Sequence, residues 1–207
     1  MIKPLLSVLL LCMSTCAAAT TITIKNANNQ PLANAVVWLS GASIQAGNQE
    51  SKTYAMSQQN REFTPRTLVV PQNAKVEFPN ADSIMHHVYS FSKAKTFELK
   101  LYKEQPKAPI TFDKTGVVEL GCNIHDWMLG YIVVADSTVF AITDDNGRVN
   151  LTAPNGQYSM SVWHSGFSDI SNVEIHSVNV SDSPIHYTVK QAIAEQIDFA
   201  TDEFDDY

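Results

Sequence analysis

The chain has 207 residues, 44% of them hydrophobic and 17% charged, with 14 Lys+Arg against 21 Asp+Glu for a formal net charge of −7. That acidic balance, without a basic stripe or a Lys/Arg cluster, argues against nucleic acid as a partner. After the first 20 residues no apolar run approaches the ~20 residues that span a bilayer, so the exported chain is not expected to cross a membrane.

The first stretch reads as a secretory leader. Lys3 supplies a short positive region, Leu5 to Met13 an apolar one, and Ala17-Ala18-Ala19 a small-residue cleavage site, with the cut expected after Ala19. Cys16 raises lipid attachment as an alternative, but Thr15 and Met13 suit a lipoprotein signal poorly. The expected compartment is a periplasm. Cys12 and Cys16 leave with the leader, so the exported chain keeps Cys122 alone. A lone cysteine there has no internal disulfide partner and needs a reason. An inert buried thiol is the bland reading; His125 and Met128 beside it favour a metal-bound thiolate.

Strand signals dominate the rest. Thr20-Ile24 alternates, Asn26 to Pro31 is turn material, and Ala35-Leu39 is a short apolar, β-branched run. Gly41 to Ser51 is small and polar, which predicts a loop or boundary. Glu62-Pro65 leads into Thr67-Val70, a turn at Pro71-Asn73, and Lys75-Phe78; Pro79 to Asp82 then breaks the strand before His86-His87. Thr96-Tyr102 alternates, Lys103 to Pro109 turns, and Ile110-Phe112, Val117-Leu120 and Gly130-Val134 follow at the spacing of a β-sandwich. Val139-Ile142, Val149-Leu151 and Tyr158-Trp163 form hairpins across Asp144-Gly147 and Pro154-Gly156, with Val173-Val180 and Ile185-Val189 as further strands. Gln191-Gln196 is the one short helical candidate, and Asp198 to Tyr207 reads as a frayed acidic tail.

The chemistry concentrates at Gly121-Cys122-Asn123-Ile124-His125-Asp126-Trp127-Met128, where a thiolate, an imidazole and a thioether fall within seven positions. A second imidazole stands 36 residues upstream at His86. Two histidines, a cysteine and a weak axial methionine are the donors of a mononuclear blue-copper site. Successive strand residues point to opposite faces, so His86 and His87 cannot both bind one ion. Trp127 offers either a docking patch or plain loop packing. Met85, beside His86, is a soft-metal candidate with ordinary packing the preferred reading; His164 at a strand end reads as structural, and His176 and His186 have no Cys, Asp or Glu neighbour at ligand spacing. No Gly-x-Ser-x-Gly turn, phosphate loop or Cys-x-x-Cys competes, so no enzymatic activity is expected.

At these residues the chain resembles the cupredoxins, the plastocyanin, azurin and amicyanin family. The resemblance lies in Val76 to Asp82, His86-His87-Val88 and Cys122-x-x-His125-x-x-Met128, and the short final loop looks most like amicyanin. It also looks like bacterial cupredoxin-like proteins of the methylamine-utilisation type. The resemblance implies His86, Cys122, His125 and Met128 as ligands of one type 1 copper. Three positions depart from the family. His87 stands where the family often has an Asn tying the ligand loops, Gly121 replaces an aromatic residue before the cysteine, and Asp126 replaces the proline of amicyanin.

A weaker resemblance covers the flanks. Ile24 to Val37 looks like the opening of a carboxypeptidase regulatory-like β-sandwich, and its expected continuations occur only later, at Thr143-Gly147 and Pro154-Tyr158. The expected organisation is therefore all-β: a cupredoxin Greek-key sandwich over 51–135, inserted into a small split sandwich of 20–50 and 136–190, then a tail over 191–207. Two domains in series are the alternative. The expected function is a monomeric carrier of single electrons between redox proteins, such as a cytochrome c and a periplasmic dehydrogenase. A copper carrier or sensor, and a non-redox binding module, are the rivals.

Overall fold

The computed structural model describes residues 17–44, 52–104, 106, 108–125 and 127–194. Among these it contains strands and turns but no α-helix. The first two strands are β1 (Ala17–Lys25) and β2 (Val36–Ser40). A block of short strands follows: β3 (Thr53–Ala55), β4 (Ser57–Gln59), β5 (Glu62–Thr64), β6 (Thr67–Pro71), β7 (Ala74–Glu77), β8 (His86–Ser92), β9 (Lys95–Tyr102), β10 (Ile110–Phe112), β11 (Gly116–Gly121) and β12 (Leu129–Ala135). The chain ends with β13 (Phe140–Ile142), β14 (Arg148–Pro154), β15 (Gly156–Trp163), β16 (Glu174–Val180) and β17 (Ile185–Thr188).

The middle block makes a five-stranded sheet, β6-β12-β11-β8-β9, and a three-stranded sheet, β10-β7-β3. Alternation along each strand sends one set of side chains between them. Val70, Val76, Phe78, Val88, Phe112, Val118, Leu120 and Ile132 form that core together with Cys122 and Met128. The thiol and thioether are thus part of a packed interior, which fixes them more firmly than a surface loop would. The two sheets thus face each other across one core.

β12 reads Leu-Gly-Tyr-Ile-Val-Val-Ala and is buried at every position from Gly130 to Ala135. Such an unbroken apolar run needs apolar cover on both faces. Ile132 and Val134 point into the core just described. Tyr131, Val133 and Ala135 point the other way, into a second core with Ile22, Val37, Leu39, Leu151, Met160 and Trp163. That second core serves two further sheets, β14-β1-β17 and β13-β2-β15-β16. Each combines a strand that precedes the middle block with strands that follow it. Tyr131 and Trp163 meet across the junction with ring centroids 5.2 Å apart. Asp136 adds a polar tie, its Oδ1 accepting the Trp38 indole N–H at 2.8 Å and the Ser40 hydroxyl at 2.6 Å.

Turn chemistry explains the connections. Asn26 Oδ1 accepts the N–H groups of Asn28 and Gln30, folding the chain back on itself. Asp144 Oδ1 does the same for Asn146 and Arg148. Gly147 follows at φ 68°, where a Cβ would lie 2.4 Å from the Ile24 carbonyl oxygen. Only glycine fits there.

Several sequence expectations meet particular outcomes. β1 begins at Ala17, inside the stretch read as leader; with a cut after Ala19, Thr20–Thr23 would still pair with β14 and Ile22–Lys25 with β17. Cys12 and Cys16 lie outside the described residues, as do Asp126 and the tail from residue 195. The described part of the helical candidate, Gln191 to Ala194, is not helical: Ile193 makes a bridge to Phe167. Backbone pairing with a neighbouring loop overrides the local helix propensity there.

Candidate metal centre

The site is assembled from the end of β11, the loop after it, and the start of β8. His86 opens β8 and is fully buried; Cys122 comes one residue after β11 ends. His125 and Met128 lie on the return to β12, and the Met128 N–H donates to the His125 carbonyl at 3.0 Å, closing the loop. All four side chains are buried, Cys122 at 4% exposure and Met128 at 2%.

Both imidazoles turn the same nitrogen toward the sulfur. Cys122 Sγ lies 3.9 Å from His86 Nδ1 and 4.0 Å from His125 Nδ1. The ligand atoms of the three residues are all within 4.8 Å of one another. Bonds of about 2.0 Å to imidazole and about 2.3 Å to thiolate are normal for a first-row ion, so the gaps admit one. The Met128 side chain shares the interior with Cys122 and lines the same cavity wall. The fold brings His86, Cys122 and His125 together at one end of this core, with Met128 packed in the same cluster.

Protonation favours ligation. Asp82 Oδ2 lies 2.8 Å from His86 Nε2, on the ring edge opposite the thiol. Burial alone would raise the Asp82 pKa. Backbone N–H bonds from Arg61 and Asn60 and the contact with His86 outweigh it and hold the carboxyl below its usual range. An ionised Asp82 accepts a hydrogen bond from Nε2–H, and that tautomer leaves the Nδ1 lone pair facing the cysteine. His125 is held below its ordinary pKa, first by burial and then by the nearby His86, which favours its neutral form. Metals bind neutral imidazole and thiolate, so binding one here would release any proton these groups carry.

The three departures from the family pattern can be followed individually. His87 sits at an irregularity in the β8–β9 register between His86 and Val88, and its Nε2 bonds Glu98 Oε1 on β9 at 2.9 Å. It ties two strands together rather than two ligand loops. Gly121 pairs with Tyr89 on the neighbouring strand. A Cβ at Gly121 would sit 2.7 Å from the Tyr89 ring and hydroxyl. The Tyr89 ring therefore occupies the space beside Gly121. Asp126 lies outside the described residues.

Other candidates sort cleanly. Met85 does not pack as expected; it is 45% exposed because it sits in the polar loop before β8. Trp127 is 43% exposed, with its ring centroid 5.4 Å from that of His125. His164 is structural, its Nδ1 accepting the Gly166 N–H at 3.0 Å. His176 stacks on Tyr187 with centroids 5.1 Å apart. A cavity of about 520 Å³ adjoins the site on the outer face of the sheet, walled by Tyr89, Phe91, Glu119, Cys122, Met128 and Ile170.

Sequence reasoning missed two participants. Asp82 reads as part of a strand-breaking Pro-Asn-Ala-Asp turn, and its spacing of four before His86 was the available signal. The β4–β5 hairpin escaped notice because its two turn residues, Asn60 and Arg61, have φ of 56° and 60° without a glycine to announce them.

An all-β chain with two imidazoles, a thiolate and a thioether buried at one end of a sandwich belongs to the class of protein sites that suit copper. No protein-family model matches the chain, and no curated protein matches it. Solved structures similar to it include cupredoxins and a copper-containing nitrite reductase. A Cu-containing nitrite reductase from Thermus scotoductus SA-01 is similar at 24% identity and TM-score 0.38, over 41% of this chain and 22% of that one. A purple cupredoxin from Nitrosopumilus maritimus is similar at 20% identity and TM-score 0.35, over 40% of this chain and 99% of the other. An amicyanin variant in its reduced Cu(I) form is similar at 19% identity and TM-score 0.38, over 48% of this chain and 98% of that one. The chain thus spans about a fifth of the nitrite reductase and nearly the whole of the two small proteins.

Proposed function

We propose that this protein is an exported copper protein that carries single electrons, with one type 1 copper held by His86, Cys122, His125 and Met128. The observation that carries the reading is the convergence of two Nδ1 atoms on one buried thiol, at 3.9 and 4.0 Å. Bound copper would supply the one-electron Cu(II)/Cu(I) couple. Thiolate and thioether suit the reduced ion while imidazole accepts both states. The residues' part is to hold those donors still, exclude water and let charge change with little rearrangement. Burial of all four side chains supports that role. No substrate is transformed in this reading.

Partner proteins would approach where the ligands come nearest the surface. Trp127, Ile124 and Met85 are each more than two-fifths exposed around the loop and His86 strand that supply the ligands. Exposed apolar side chains around the ligand loop suit a small, brief interface with a redox partner. The leader that residues 1–19 are read as would direct the protein to a periplasm. The strands on either side of the middle block are read as one small sandwich split by the copper domain, which would account for β1 and β2 pairing only with strands beyond residue 139.

The test is potentiometric. The copper-loaded protein should show one reversible, single-electron transition and one copper per chain. Loading without a reversible couple would refute electron carriage and favour metal delivery.

A further inference from the structure

We propose that Asp82 is a positioning residue for the metal: through Nε2 it aims His86 Nδ1 at Cys122 and strengthens the hold of the site on oxidised copper. The inference rests on the copper reading above and extends it to a residue outside the four ligands.

The loop before β8 is built to bring Asp82 back onto the ring. Asn80 Oδ1 accepts the Asp82 N–H at 2.9 Å, and Asn80 Nδ2 donates to the carbonyl of Ile84 at 2.8 Å. The β4–β5 hairpin then closes over it. Gln58 N–H donates to Pro79 O at 3.0 Å, and Ala81 N–H returns to Gln58 O at 2.8 Å, so the hairpin is pinned to the loop. At its tip the backbone is left-handed at both Asn60 and Arg61. Two successive N–H groups consequently meet one carboxylate: Asn60 N at 2.7 Å from Oδ1 and Arg61 N at 3.0 Å from Oδ2.

His86 Nε2 is the third donor on the same group, 2.8 Å from Oδ2. Three donors need an acceptor on both oxygens. An amide offers one oxygen, and its NH2 would face an N–H head on. Asp82→Asn therefore keeps the size but cannot keep the network. A carboxylate on the far nitrogen raises the basicity of the imidazole toward the metal, and the more highly charged ion gains most. Positioning and tuning come from one contact.

The experiment compares wild type with Asp82→Asn, both full-length and copper-loaded. Loss of such an outer partner lowers metal affinity about 10–100-fold. Here the loss should fall mainly on Cu(II), so the reduction potential should rise by about 59 mV for each tenfold difference between the two oxidation states. A role confined to loop stability would weaken Cu(I) and Cu(II) alike and leave the potential where it was. An unchanged potential, with the thiolate-to-copper band present, would overturn the inference and leave the copper reading intact. No such band in the wild type would overturn both. Should Asp82→Asn not fold, the imidazole nitrogen spectrum of metal-free wild type decides: a proton on His86 Nε2 supports the assignment and one on Nδ1 overturns it.

Discussion

Replacing Gly121 by alanine tests the claim that Tyr89 fills the space beside the cysteine. The new methyl would lie 2.7 Å from the Tyr89 ring and hydroxyl, closer than carbon atoms tolerate. Overpacking of this kind costs about 1–3 kcal/mol. Alanine in a strand is otherwise better than glycine by about 0.5–1 kcal/mol. Tyr89 is partly exposed and its ring tip can yield, so the net loss should be about 0.5–2 kcal/mol. Urea unfolding of the metal-free protein reads it; at a slope of about 2 kcal/mol per M the midpoint falls by about 0.2–1 M. In a Tyr89→Ala background the clash is gone and Gly121→Ala should stabilise by about 0.5–1 kcal/mol. The sign change between backgrounds isolates the pair. A neutral or stabilising effect of Gly121→Ala in the presence of Tyr89 would refute the packing argument.

Three further outcomes are expected. Asp136→Ala leaves the nearly buried Trp38 indole N–H without its acceptor and should cost about 1–3 kcal/mol by urea unfolding. The pKa of His164 is lowered chiefly by burial, so the native state binds fewer protons than the unfolded one; stability should hold above pH 6.5 and fall below it. His164→Gln should flatten that fall. Leu120, fully buried beside the cysteine, should cost about 2–5 kcal/mol on Leu120→Ala and weaken copper retention in the same sample. A truncation that left both unchanged would show that the site does not depend on the inner core.

Much of the site was legible because its chemistry is local. Cys122, His125 and Met128 stand in one loop, and His86 is marked by the strand break before it. Turns that depend on a single side chain, such as Asp144 to Gly147, were legible for the same reason. What depends on register was not. Nothing in the residues around Gly121 says that Tyr89 lies across it; that follows only from the pairing of β8 with β11. Asp82 needed the hairpin at Asn60-Arg61 to reveal its role, and that hairpin carries no glycine. The unbroken apolar run of β12 was readable as a strand, while its burial between two cores became clear only once both were formed.

The measurement that bears most directly on the account is the visible absorption of the purified protein with Cu(II), beside a Cys122→Ser control. The account predicts an intense charge-transfer band in the wild type, lost in the control and bleached reversibly by a one-electron reductant. A folded, fully copper-loaded wild type without that band would contradict it.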